Sequence, residues 1–206
     1  MTDIRTLGVI GAGQMGIGIA QVSAQAGYDV ILSDIDLPRA EKGKANIAKL
    51  LARAVDKEKM TQTDADAVLA RITPVGELAP LADAQFVIEA ATEREEVKRA
   101  IFGNVGKLLG KDAILATNTS SIPITRLAQA APDAERFIGV HFFNPVPVMV
   151  LVEIIRGLAT TPEVVEAVEA YATRIGKTAV HAFDAPGFVV NRILLPMLNE
   201  AVFVLG

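Results

Sequence analysis

Gly11-Ala12-Gly13-Gln14-Met15-Gly16 is the stretch on which the fold turns. It follows a short apolar, β-branched run at residues 6–10 and opens a helical pattern, the setting in which a G-x-G-x-x-G string has physical meaning. Gly11 permits a tight turn, Gly13 lets backbone approach a pyrophosphate, and Gly16 lets the helix lie close to the strand. The helix N-terminal amides then face the phosphates. Gly11, Ala12, Gly13, Gln14, Met15 and Gly16 are therefore the candidate cofactor-binding residues of this loop. A glycine-rich turn with no ligand is the alternative, and Asp34, at the end of the next apolar run, argues against it. An acid there accepts hydrogen bonds from the adenine ribose hydroxyls and repels a 2′-phosphate, so NAD is expected rather than NADP. The nearby Asp36 reads as the N-cap of the following helix.

Working outward, apolar β-branched runs at 6–10, 29–33, 72–75, 86–89, 113–117 and 137–142 alternate with amphipathic stretches. That is the pattern of a parallel sheet covered by helices, an α/β fold of Rossmann-type, doubly wound architecture. The segment 38–70 is longer than one crossover needs. Thr61-Gln62-Thr63-Asp64 offers a helix N-cap in its middle, so a projecting helical hairpin is expected. After His141, Pro145 and Pro147 end one strand, and 150–155 reads as another that returns beside it. Pro186-Gly187 marks a boundary: residues 1–185 form the NAD-binding domain, and 186–206 the first helix of an all-α domain. The stretch 188–205 is apolar nearly all round and needs a partner, since each large aliphatic side chain buried is worth roughly 1.5–3 kcal/mol. The rest of that helical domain is expected to lie beyond Gly206, and the segment to mediate self-association, as a homodimer.

Of 206 residues, 51% are hydrophobic, enough for one domain and a fragment. A formal charge of −4 provides no basic face for nucleic acid. The absence of cysteine removes disulfides, thiolate metal sites and a cysteine nucleophile, and no metal is expected. Met1-Thr2-Asp3-Ile4-Arg5 resembles neither a signal nor a transit peptide, so the cytoplasm is the expected compartment. Asn191, Arg192, Asn199 and Glu200 interrupt the C-terminal apolar stretch, which therefore should not span a membrane.

Segments 8–34, 86–102, 117–122, 139–153 and 184–200 together carry a resemblance. Their distinctive motifs are Ala116-Thr117-Asn118-Thr119-Ser120-Ser121, Gly139-Val140-His141-Phe142-Phe143-Asn144-Pro145-Val146-Pro147 and Pro186-Gly187-Phe188-Val189-Val190-Asn191-Arg192. In order and in wording the chain resembles the L-3-hydroxyacyl-CoA dehydrogenase family. The resemblance implies reversible, NAD-dependent oxidation of a short-chain L-3-hydroxyacyl-CoA to the 3-ketoacyl-CoA, as in fatty acid or butanoate metabolism. The chemistry needs a base for the hydroxyl proton, and an imidazole titrates near neutrality. A histidine in an apolar strand is more often structural, but a returning strand would bring Glu153 to His141. By resemblance these two are the catalytic dyad.

The resemblance also places Ser120 and Asn191 near the reacting oxygens as catalytic and substrate-binding groups, with Ser120 touching NAD as well. Ser120 read alone is a helix N-cap. Asn144 combines a turn role with a secondary substrate role, and Glu93 and Lys98 become NAD contacts, although the run Glu93-Arg94-Glu95-Glu96 also reads as a solvated helix face. Arg53 and Lys57 are the hairpin cations expected to meet coenzyme A phosphates. His181 has no argued role. Val150 departs from the Lys or Leu usual at its place, and turnover is expected to need the remainder of the helical domain. Gly8 lies close to Met1, which favours a stand-alone enzyme over one domain of a multifunctional protein. Two rivals stand beside this reading: a 3-hydroxyacid dehydrogenase acting on free acids, and a non-catalytic NAD-binding structural or regulatory protein.

Overall fold

The apolar runs become strands in a computed structural model that describes residues 4–205. They are β1 (Thr6–Ile10), β2 (Asp29–Ser33), β3 (Ile72–Val75), β4 (Phe86–Glu89), β5 (Ile114–Thr117), β6 (Phe137–Phe142), β7 (Leu151–Arg156) and β8 (Thr178–Ala182). The helices are α1 (Gln14–Gln25), α2 (Leu37–Asp56), α3 (Gln62–Ala70), α4 (Glu95–Val105), α5 (Ile124–Ala128), α6 (Pro162–Arg174) and α7 (Val190–Val204). β5 and β7 begin one residue later than the sequence pattern suggests.

All eight strands form one sheet in the order β3-β2-β1-β4-β5-β6-β7-β8. Every pairing is parallel except β6 with β7, whose short connection allows only an antiparallel return. Period-2 alternation sends neighbouring side chains to opposite faces. Leu7, Val9, Phe86, Ile88, Ile138 and Val140 pack with Ile19 of α1, Ile47 of α2 and Tyr171 of α6. Ile10, Val87, Leu115 and Phe137 pack on the other face with Phe102 of α4 and Leu127 of α5. Both faces are covered, as the near-continuous apolar strands require.

The helical hairpin is α2 and α3, capped by the side chains of Asp36 and Thr61, which accept from the amides of Arg39 and Asp64. It lies against the domain along Ala40, Gly43, Ile47 and Leu51 and turns its charged face outward. α7 has no buried residue, and Ile193, Leu195, Met197 and Val202 stand exposed along it. No helix among the described residues is long and apolar enough to cross a membrane.

Candidate active site

The sheet order reverses between β1 and β4, and ligands of open α/β sheets bind in the crevice outside the strand ends at such a point. Gly11 stands there at φ 102°, and a Cβ on it would lie 2.6 Å from Ala91 Cα. A Cβ on Gly16 would lie 1.7 Å from the Gly11 carbonyl oxygen, so α1 reaches the turn only because both residues are glycine. Gly13, the N-cap of α1, has open space where a side chain would be, and no side chain caps the helix. The first amides of α1, unlike those of α2 and α3, are thus left for an anion. Asp34 ends the turn from β2: its carboxylate accepts from the amides of Ala12 (2.7 Å) and Ile35 (2.8 Å). Each oxygen keeps acceptor capacity for ribose hydroxyls. Open glycine, uncapped helix and oriented acid together fit an NAD dinucleotide.

Beyond β4 and β5, Glu93 Oε1 accepts from the Thr119 hydroxyl (2.7 Å), the Ser120 amide (2.9 Å) and the Ser120 hydroxyl (3.0 Å). Burial works to raise the Glu93 pKa, but the bonds from Thr119 and Ser120 and the charge of Lys98 outweigh it, and the net direction is down. The Ser120 hydroxyl proton already points to Glu93, so this residue offers the crevice an acceptor oxygen rather than the free donor a polarised carbonyl needs. Lys98 is wholly buried. Its ammonium donates to Glu89 Oε2 (2.6 Å), Thr117 Oγ1 (3.2 Å) and the Asn118 carbonyl (3.3 Å), which engages all three of its protons.

The antiparallel return sets His141 opposite Glu153 in register. His141 Nδ1 lies 2.7 Å from Glu153 Oε2, and both side chains are buried. Since a carboxylate accepts, Nδ1 carries the proton of this contact, and in the neutral tautomer Nε2 is the nitrogen with the lone pair. Nε2 has no hydrogen-bond partner among the described residues and is not fully sealed from solvent. The second oxygen of Glu153 accepts from the amides of Val189 and Val190, 2.9 Å each, and so caps the N-terminus of α7. Phe143 and Phe188 flank the imidazole, with ring centroids 4.6 and 5.6 Å away. Phe188 is buried at φ 50°, an uncommon conformation for an aromatic residue.

Asn191 lies one turn along from Phe188, half-buried on the first turn of α7, and Asn144 is exposed beyond β6; neither side chain has a hydrogen-bond partner among the described residues. Arg53 and Lys57 are not brought to the dyad. They are exposed near the far end of α2, with Arg53 sixteen residues, roughly 24 Å of helix, from its start at Leu37. Sequence reasoning passed over Phe143, Phe188, Asn118 and Glu89. Phe143, Phe188 and Asn118 lie inside the distinctive motifs, and Glu89 is a lone acid at the end of the apolar run 86–89; those are the signals that could have drawn attention to them.

Residues 6–185 match the family described as "3-hydroxyacyl-CoA dehydrogenase, NAD binding domain". The chain is 51% identical over 202 residues to 3-hydroxybutyryl-CoA dehydrogenase of Bradyrhizobium diazoefficiens, covering 98% of this chain and 69% of that protein. It is 43% identical over 201 residues to 3-hydroxyadipyl-CoA dehydrogenase of Escherichia coli, covering 98% of this chain and 42% of that protein. The crystal structure of (S)-3-hydroxybutyryl-CoA dehydrogenase from Ralstonia eutropha superposes with a TM-score of 0.97 at 49% identity, covering 99% of this chain and 72% of that one.

Proposed function

The chain belongs to the 3-hydroxyacyl-CoA dehydrogenase family and carries its NAD-binding domain, and from that premise we propose that His141 and Glu153 perform the proton transfer in reversible oxidation of a short-chain L-3-hydroxyacyl-CoA. The protein is an NAD-dependent dehydrogenase of 3-hydroxyacyl-CoA thioesters. The relatives are named for CoA thioesters, so neither the free-acid reading nor the non-catalytic one is favoured. The observation that carries the dyad is its geometry: Nδ1 tied to a buried carboxylate, Nε2 open.

The loop Gly11, Ala12, Gly13, Gln14, Met15 and Gly16 would hold the pyrophosphate on the α1 amides, Asp34 the adenine ribose, and Glu93 with Ser120 the far end of the dinucleotide. Bound NAD supplies the hydride acceptor. In oxidation, His141 Nε2 takes the 3-hydroxyl proton, and the Glu153 carboxylate stabilises the imidazolium through the Nδ1 proton. In reduction the same Nε2–H protonates the oxygen at C3. Ser120 accepts from a hydroxyl beside it, which suits the alcohol or a cofactor ribose. Lys98 acts from beneath, by orienting Glu93 electrostatically and holding the Asn118 carbonyl, rather than by direct contact. Asn191 and Asn144 flank the substrate oxygens, and Arg53 with Lys57 meets the distant coenzyme A phosphates.

The exposed apolar stripe of α7 supports its reading as the first helix of a helical domain, 186 onward, through which two copies dimerise. The cytoplasm is the compartment of this proposal. The test is NADH oxidation with acetoacetyl-CoA by the full-length protein and its His141→Gln variant. Turnover should fall by about 10²–10⁴, the usual contribution of general acid–base catalysis, with NADH affinity nearly intact. Near-normal turnover would remove His141 from the mechanism.

A further inference from the structure

The β5–β6 ladder ends at Thr117 opposite Gly139. His141 and Phe142 lie past its end, yet their placement decides where Nε2 presents itself. The bond missing from the ladder is replaced by a side chain: the Phe142 amide donates to Asn118 Oδ1 at 2.9 Å. Asn118 is itself held at both ends of its peptide. Its amide donates to the Glu89 carbonyl at 2.7 Å, and its carbonyl accepts from Lys98 Nζ at 3.3 Å. One residue therefore ties together the tips of β4, β5 and β6 at the mouth of the crevice.

We propose that Asn118 is a positioning residue for the reaction, fixing the backbone next to His141 as Glu153 fixes its ring. The proposal rests on the reading of His141 as the proton-transfer group. Two constraints are needed because they act on different freedoms. The Glu153 carboxylate sets the rotation of the imidazole about its side-chain bonds, whereas the Asn118 amide sets where the Cα of His141 sits. A displacement of about 1 Å in a reacting group can cost on the order of 10²-fold in rate. The interaction needs an acceptor at the δ position and no more: Asp can supply it, Ser, whose oxygen is at γ, is too short to reach, and Ala leaves the Phe142 amide without a partner.

Asn118→Ala should lower kcat with acetoacetyl-CoA about 10- to 100-fold, while the KM for acetoacetyl-CoA and the NADH dissociation constant change by less than about threefold. Asn118→Asp should recover kcat to within about fivefold of the parent. The pH profile of kcat/KM should keep its midpoint in Asn118→Ala, because the Glu153 contact to Nδ1 is untouched. Asn118→Ser stands in if the alanine variant does not fold, with the same kcat loss expected. A merely structural role would instead lower the melting temperature and NADH affinity and leave kcat of the folded enzyme unchanged. Parental kcat in Asn118→Ala, or an equal loss in Asn118→Asp, overturns the proposal. His141→Gln run in parallel separates the two ideas. If that variant is inactive and Asn118→Ala is normal, positioning alone fails; if His141→Gln stays active, the premise fails and the proposal with it.

Discussion

Two buried carboxylates, Glu89 and Glu153, each hold a basic side chain on this sheet, and they differ in what the base has left over. Lys98 sits against Glu89 with no exposure on either side chain, and its remaining donors go to Thr117 and the Asn118 carbonyl. His141 sits against Glu153 at nearly the same distance, 2.7 against 2.6 Å, but only one of its nitrogens is engaged. Burial and pairing are common to both sites, so neither marks a catalytic group. What distinguishes the dyad is that Nε2 has no hydrogen-bond partner among the described residues, while the lysine pair is closed. The carboxylates differ in the same sense. Glu89 uses its second oxygen on the nearby Ala91 amide, whereas Glu153 uses its own to cap α7, thirty-six residues away in sequence.

The hardest way to strain this comparison is to open the closed pair. Lys98→Met leaves Glu89 buried without its charge partner, and breaking a buried pair from one side costs about 3–5 kcal/mol. Denaturant unfolding of the variant measures it. Adding Glu89→Leu should recover part of the loss, because it removes the desolvated charge while leaving the Ala91 amide and the Thr117 hydroxyl without their acceptor. A cost below about 1 kcal/mol for the single variant, the range of an exposed ion pair, would mean that solvent reaches the Lys98–Glu89 pair.

Next in size is Glu153→Gln. A carboxylate has acceptors on both oxygens, and here both are used; an amide has one acceptor oxygen and two N–H donors. The variant must either face an NH₂ toward the α7 amides or release His141 Nδ1. Stability should fall by about 1–3 kcal/mol, the cost of leaving buried polar groups unmatched. Turnover should fall about 10- to 100-fold, in keeping with a lost orienting group. Lys98→Met, by contrast, should lower stability more than it lowers turnover per folded molecule. Equal ratios of the two effects in both variants would erase the distinction between a closed and an open pair.

The sheet was legible from sequence because its signals are local: β-branched runs at nearly the observed bounds, glycines where Gly11 and Gly16 meet backbone, and prolines after His141 that force the return. The return put Glu153 within reach of His141 and the resemblance named the pair, and the antiparallel register sets the two opposite one another. The burial of Lys98 left no mark in the sequence. In a run of charged residues it looked solvated or cofactor-facing, and the partner that draws it inward, Glu89, lies in the preceding strand. Asn118 and Phe188 were overlooked for a related reason. Their roles depend on where a ladder stops and on a backbone angle of 50°, and neither leaves a periodic trace in the sequence. The hairpin looked more detached than it is, because the buried stripe at Ala40, Gly43, Ile47 and Leu51 is narrow beside its charged face.

A third carboxylate, Glu93, lies between the two cases and should give the smallest effect. It is exposed along part of its length, its partners are the neutral Thr119 and Ser120, and its pKa is lowered because their hydrogen bonds and the Lys98 charge overcome the opposing push of burial. A folded-state pKa below that of the unfolded chain means stability gained above the ordinary glutamate range and lost as pH falls through the folded value. Wild type should therefore melt slightly above Glu93→Gln at neutral pH, and the gap should close on acidification below that range. A series of melting temperatures from neutral to acid pH for the two proteins measures it. A gap that is constant with pH would mean that the shape of the side chain, rather than its charge, holds the Thr119–Ser120 turn. In that case the ionised state of Glu93 would contribute nothing to the crevice, and Lys98 would have no electrostatic route to the cofactor side of the site.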